Sequence, residues 1–199
     1  MIKLLKFRLT LISVAFAAFG GALYKLLVID EMSWYYTALA NLIALVVNLL
    51  VSLLLENKRA KSSINYVKIF SILLFLGFIT TVYMHTKYFI EGTFPYSGYD
   101  DKVSYYVKGD EYTALAIKYK QEHPNIESDA DLVYEGFGSP TEKDKVWTVA
   151  SIDKNKLRLI SSYVLVVIFF VGIVSVLLDV LSRSYGKTRP KRPKPAYVP

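Results

Sequence analysis

Residues 160–182 read ISSYVLVVIFFVGIVSVLLDVLS, and their only ionisable acid or base, Asp179, stands near the far end. A helix rises 1.5 Å per residue, so about 20 apolar residues cross the roughly 30 Å of hydrocarbon in a bilayer. This run is long enough, and three others match it at 7–29, 34–55 and 66–90. Their charges sit near the ends, Arg8 and Lys25 in the first and Lys68 and Lys87 in the third, where long side chains reach the headgroups. The second run, 34–55, carries no charge. Apolar residues make up 53% of the chain and the mean hydropathy is +0.33, high for a water-soluble protein of 199 residues. The basic start MIKLLKFR and the small residues at Ala15 and Ala17 resemble a signal peptide, but the apolar run continues to 29. That is longer than a signal-peptide core, and an uncleaved first helix is expected.

Lysine and arginine in short loops mark the cytoplasmic side. Lys3, Lys6 and Arg8 precede the first run, and Asp30 and Glu31 follow it. Lys58, Arg59 and Lys61 lie between the second and third runs, and the tail carries Arg183, Lys187, Arg189, Lys191, Arg192 and Lys194 without an acid. These counts alternate. The expected fold is an all-α transmembrane bundle of four helices with both termini cytoplasmic, and a small α+β extracytoplasmic domain between helices 3 and 4. Its parts are 1–90 with the first three helices, 91–159 outside, 160–182 as the fourth helix, and 183–199 as a basic, proline-rich cytoplasmic tail. The aromatic residues Trp34, Tyr35, Tyr36, Tyr88 and Phe89 fall at the outer interface in this arrangement.

The net charge of +7 is then the sum of two unlike faces. The 91–159 segment holds 13 acids against 9 bases, so the excess positive charge is cytoplasmic. It fits anionic lipid or a cytoplasmic protein partner bound through 56–65 and 183–199, and direct nucleic-acid binding is not expected. Lys58, Arg59, Lys61 and the six tail bases are the contact candidates. Prolines 190, 193, 195 and 199 prevent a helix in the tail.

On the second helix, Thr37, Asn41, Asn48 and Ser52 recur at four, seven and four residues and share a face. Amides in hydrocarbon need hydrogen-bond partners, so the face packs within the bundle, or lines a polar pore between copies. On the first helix, Ala17, Gly20, Gly21 and Tyr24 belong to a small-residue strip suited to close helix approach or to homo-oligomer contact. In the fourth, Ser175, Asp179 and Ser182 share a face at the cytoplasmic end.

In the 91–159 segment, KVSYYVK at 102–108 has strand composition, and Asp110 is placed to cap a helix through DEYTALAIKYKQEH that Pro124 ends. ADLVYEGF is a short strand or helical turn stopped by Gly136 and Gly138. Ser139, Pro140 and Glu142 have the spacing of a capping box with proline at the first helical position. Ser151 is placed to cap a helix that runs through SIDKNKLRL into the fourth span. Phe137 and Trp147 either fill the small core of this domain or recognise an extracytoplasmic molecule.

No catalytic set is expected. The chain has no cysteine and two histidines, His85 and His123, which leaves no thiol nucleophile, no Cys-based zinc site and no histidine-rich metal site. The Gly136-Phe137-Gly138 pair lacks the rest of a phosphate loop. No cofactor and no metal are expected.

Size, four spans, one small outer domain and the re-entry segment VWTVASIDKNKLRLISSYVL resemble the small membrane subunits of bacterial anti-phage defence systems, most of all the Kiwa-type membrane subunit. That resemblance implies a homo-oligomeric inner-membrane sensor of phage attachment or envelope disturbance, working with a soluble DNA-binding cytoplasmic partner. The functional expectation is a non-enzymatic sensor or scaffold. Its alternatives are an oligomeric pore that depolarises the membrane and, third, an integral membrane enzyme.

Overall fold

The computed structural model describes residue 10 and residues 29–56, 63–97 and 103–186. Mostly helical, this part of the chain contains three long helices: α1 (Ser33–Glu56), α2 (Ser63–Gly92) and α4 (Val149–Gly186). Between α2 and α4 lie β1 (Thr93–Ser97), β2 (Val103–Val107), the short helix α3 (Ala114–Glu122) and a series of tight turns. These form a head, to which the 3-10 turn Asp30–Met32 also belongs. The run 7–29 falls outside the described residues except for Thr10 and Ile29, as do Lys58, Arg59, Lys61 and the tail beyond Gly186. Arg183 lies in the last turns of α4.

Two helices are long and apolar enough to cross a membrane, within Asn65–Gly92 and Val149–Leu181. A soluble core helix of this length would bury its leucines. Here Ile69, Ile72, Leu73, Leu76 and Ile79 on α2 and Leu42, Leu45, Leu49 and Leu53 on α1 are exposed, with Leu45 at 69%. Contiguous apolar surface of this kind suits contact with lipid or with another apolar surface. Three exposed threonine hydroxyls on the helices are satisfied within their own turns: Thr37, Thr80 and Thr86 donate to the carbonyls of Ser33, Leu76 and Val82 at 2.9–3.0 Å. Such bonds let a polar group face hydrocarbon without an outside partner.

α4 is the central element and packs along both α1 and α2. Toward α1, Val167 and Val171 meet Ala40, and Val176 meets Val51. Toward α2 the fit is glycine-based in both directions. A Cβ on Gly77 would strike the Phe169 ring, and a Cβ on Gly172 would lie 3.2 Å from Leu74 Cδ2. Each helix therefore receives a bulky side chain where the other has none.

The 38 residues of α4 span about 57 Å, nearly twice the hydrocarbon thickness. Its first ten residues, with Asp153, Lys154, Lys156 and Arg158, belong to the head. The helix continues from there into the apolar run without a break, and it starts at Val149 rather than Ser151, whose hydroxyl donates back to the Thr148 carbonyl at 2.9 Å.

In the head, β1 and β2 pair antiparallel with Thr93 opposite Val107 and Ser97 opposite Val103. Ile29 bridges to Tyr105 beside them. Ile29, Phe94, Val107, Ala116, Leu132, Val133, Val146, Trp147, Ile152 and Leu159 form one core. Several local expectations are corrected. Thr113, not Asp110, caps α3, accepting the Ala116 amide at 3.2 Å, because Asp110 is drawn toward α4. ADLVYEGF is neither strand nor ordinary helix: the turn Asp129–Asp131 widens into a π-type turn at Leu132–Phe137 that Gly138 ends at φ +77°, a left-handed conformation that suits glycine. Ser139 accepts the Thr141 amide at 3.3 Å, and Glu142 pairs with Lys145 at 2.8 Å instead of completing a capping box. Pro140 does stand at the first helical position.

Candidate functional site

The most densely bonded part of the molecule is the junction where the head meets the three helices. Glu31, one turn before α1, pairs with Lys143 of the head and with Lys156 of α4, the latter at 3.2 Å. One carboxylate thus ties three elements together. Burial alone would raise the Glu31 pKa, but the two ammonium groups hold it below the ordinary carboxylate range. Burial lowers Lys143 in turn, against the attraction of Glu31.

Asn155, 3% exposed on α4, donates one amide to the Lys108 carbonyl at 3.0 Å and to Asp110 Oδ1 at 2.7 Å. Lys154 and Arg158 close on Asp110 at 3.1 and 3.3 Å. The Asn155 bond, followed by these cations, lowers the Asp110 pKa. Gly109 permits the arrangement, since a Cβ there would run into Ser151 and come within 2.6 Å of Trp147 Cβ. Deeper in the head, Asp129 accepts from Lys108 Nζ at 2.6 Å and from the Tyr112 hydroxyl at 2.5 Å. Burial opposes ionisation of Asp129, yet these donors hold its pKa low, and burial next to that carboxylate pushes the Tyr112 phenol up.

One turn below the ion pairs, His85 of α2 meets Ser162 of α4, Nδ1 to Oγ at 2.7 Å. Serine beside histidine suggests a nucleophile and its base, but the burial of both side chains argues otherwise. The Ser162 hydroxyl lies within hydrogen-bond distance of both His85 Nδ1, at 2.7 Å, and the Leu159 carbonyl, at 3.1 Å, and the His85 tautomer sets which atom donates in the shorter bond. With His85 2% and Ser162 4% exposed, the pair is an interhelical lock. Tyr163 packs against both His85 and Tyr36, at centroid distances of 6.1 and 4.4 Å. Among the described residues, His85 Nε2 and the buried Tyr36 hydroxyl have no hydrogen-bond partner.

The sequence-derived candidates distribute unevenly. Trp147 is 1% exposed, between Phe94 at 5.3 Å and Tyr112 at 6.2 Å, and is therefore a core residue with no surface to offer a ligand. Phe137 is half-buried against Tyr119 at 5.9 Å. The α1 face separates: Asn48 accepts the Ser175 hydroxyl at 3.1 Å inside the bundle, whereas Thr37 and Asn41 are exposed. Ser52 follows on the same helix. Among the described residues no three histidines or carboxylates converge as metal ligands would.

Glu31, Asn155, His85 and Ser162 were not singled out from sequence as site residues. His85 carried the one usable signal, an ionisable side chain inside an apolar run; the others look like ordinary loop and helix residues until the fold pairs them. No family model, curated protein or solved structure matches this chain.

Proposed function

We propose that this protein is a non-enzymatic, multi-pass inner-membrane sensor or scaffold subunit that couples an extracytoplasmic signal to a cytoplasmic protein partner. The proposed arrangement has four spans, both termini cytoplasmic and the head outside. The continuity of α4 carries this reading. A single helix starts within the head core, is clamped there through Asn155 and Lys156, and continues between α1 and α2 to Gly186. Any force that shifts the head tilts or rotates α4, and the basic residues from Arg183 onward lie at the end that would move. The resemblance to Kiwa-type membrane subunits makes anti-phage defence the proposed setting, with homo-oligomeric assembly and lipid contact through Lys58, Arg59, Lys61 and the tail.

The pore reading draws on the amides of α1, but one of the two, Asn48, is bonded to Ser175. The scaffold reading needs no such opening.

Two measurements test it. Reporter fusions at 98–102 and after 199 should give periplasmic and cytoplasmic signals respectively; two cytoplasmic signals would overturn the topology. Removal of 187–199 should leave the protein in the membrane and abolish recovery of its cytoplasmic partner. A partner retained in full by the truncated chain would end the coupling role of the tail.

A further inference from the structure

Where α1, α2 and α4 meet beneath the head, two buried polar atoms are left over. The His85 ring is engaged through Nδ1 with Ser162 at 2.7 Å, and the shape of the ring sends Nε2 away from that contact. Tyr36 of α1 is 5% exposed. Among the described residues neither His85 Nε2 nor the Tyr36 hydroxyl has a hydrogen-bond partner, and neither atom is open to solvent. Thr81, buried one turn before His85, supplies none, because its hydroxyl is already bonded to the Gly77 and Phe78 carbonyls at 2.9 and 3.0 Å. Both orphaned groups sit on rings packed against one residue, Tyr163 of α4. A buried polar group without a partner costs free energy, and the cost persists only where the surrounding structure overrides it.

The two groups complement each other. A phenol hydroxyl both donates and accepts, so it fits Nε2 in whichever tautomer the Ser162 bond selects. What surrounds Tyr36 is the head. It lies in the same apolar cluster as Ile29, Met32 and Phe94, five residues after Glu31, whose carboxylate is held by Lys143 and Lys156. The position of Tyr36 is therefore set by the head, whereas that of His85 is set by the bond between α2 and α4. We propose that the Tyr36 hydroxyl and His85 Nε2 form a conformational latch, apart while Glu31 is clamped and hydrogen-bonded to each other once the clamp releases and α1 shifts. The inference rests on the sensor reading above and names the residues through which movement of the head reaches the helices. Two packings that exchange ion pairs for one buried hydrogen bond form a bistable element, which a signal at the head can bias.

His85 and His123 are the two histidines of the chain, so His123→Gln leaves His85 as the single source of imidazole signal. In that background, with isotopically labelled histidine and full-length protein in lipid nanodiscs, Glu31→Ala should shift the Nε2 resonance to a hydrogen-bonded position in about tenfold more of the molecules. Lys156→Ala, which removes one of the two ion pairs, should act in the same direction to a smaller extent. Adding Tyr36→Phe to either variant should cancel the shift. Tyr36→Phe alone removes an unpartnered hydroxyl, and should leave both the Nε2 resonance and the thermal stability of the clamped protein unchanged. Spectra of Glu31→Ala and Lys156→Ala identical to that of the clamped protein, or a shift that survives Tyr36→Phe, overturn the latch. An Nε2 already hydrogen-bonded before any release overturns it as well, since a fixed partner such as a buried water then holds the ring. No cytoplasmic partner enters the measurement, so a failed latch leaves the sensor reading to the topology and truncation experiments.

Discussion

The head and the helical part of this chain are held together by opposite means. The head buries a compact apolar core, including Trp147, Phe94, Val107 and Leu132, and surrounds it with ion pairs centred on Glu31, Asp110 and Asp129. The helices bury much less and leave their largest apolar side chains outside. They cohere through glycine-to-aromatic contacts, and through polar pairs, His85 with Ser162 and Asn48 with Ser175. The difference matches the two solvents of the proposed arrangement. Water drives apolar residues inward and tolerates charge at the surface, whereas lipid gives leucine no reason to hide and makes shape and hydrogen bonding the remaining sources of cohesion.

The largest expected effect falls on the head. Trp147→Ala empties the centre of its core and should cost about 3–5 kcal/mol, enough to unfold a small domain. Limited proteolysis should then cut within 93–148 while the protein stays in the membrane. If the membrane fraction were lost as well, head and helices would be one folding unit and the contrast would fail.

The corresponding break in the helices is Gly77→Val, which drives a side chain into the space of the Phe169 ring. It should cost about 1–3 kcal/mol through overpacking. Cysteine cross-linking between α2 and α4 would report the separation, and the head should resist protease as before.

Acid should separate the two regions without mutation. Asp129, Asp110 and Glu31 have pKa values lowered on folding, so their contribution is fully present above the unfolded carboxylate values near 4 and is lost as pH falls through the folded ones. Thermal melts followed by near-ultraviolet dichroism should show the head weakening below about pH 4. Asp129→Asn should lower stability at neutral pH and flatten this acid dependence; an unchanged pH profile would show that the Lys108 and Tyr112 contacts carry no linkage.

The smallest effect belongs to single polar pairs between helices. Ser162→Ala should cost about 1 kcal/mol, within the range measured for such bonds in membrane proteins. It should also move the His85 ring-nitrogen resonances, since it removes the hydrogen-bond partner of Nδ1. Resonances identical to those of the unsubstituted protein would rule out the His85–Ser162 bond.

How much of this was legible depended on which neighbours a residue needed. The spans at 34–55 and 66–90 differ from α1 and α2 by one to three residues at each end, because an apolar run of that length dictates its own helix whatever surrounds it. The strand β2 was readable from its β-branched and aromatic content. Its partner β1 was not, since Thr93–Ser97 contains a proline and follows the helix directly; it is a strand because β2 lies beside it. Asp110 had every local qualification for a helix cap, and tertiary contacts with Asn155, Lys154 and Arg158 outbid that role. Gly138, by contrast, could be read as a stop from sequence alone, and it adopts the left-handed conformation that such a stop uses.

By itself the sequence determined the apolar runs, the alternation of charge between them and the poverty of nucleophiles and metal ligands, all properties that composition and spacing carry without reference to distant residues. Only the tertiary structure decided that Trp147 is core, that Glu31 joins three elements, that Asn48 turns inward while Asn41 does not, and that α4 runs unbroken from the head through the bundle. Those outcomes depend on pairs of residues as far as 127 positions apart, such as Asn48 and Ser175. Which amide finds a hydroxyl is set by how the helices pack.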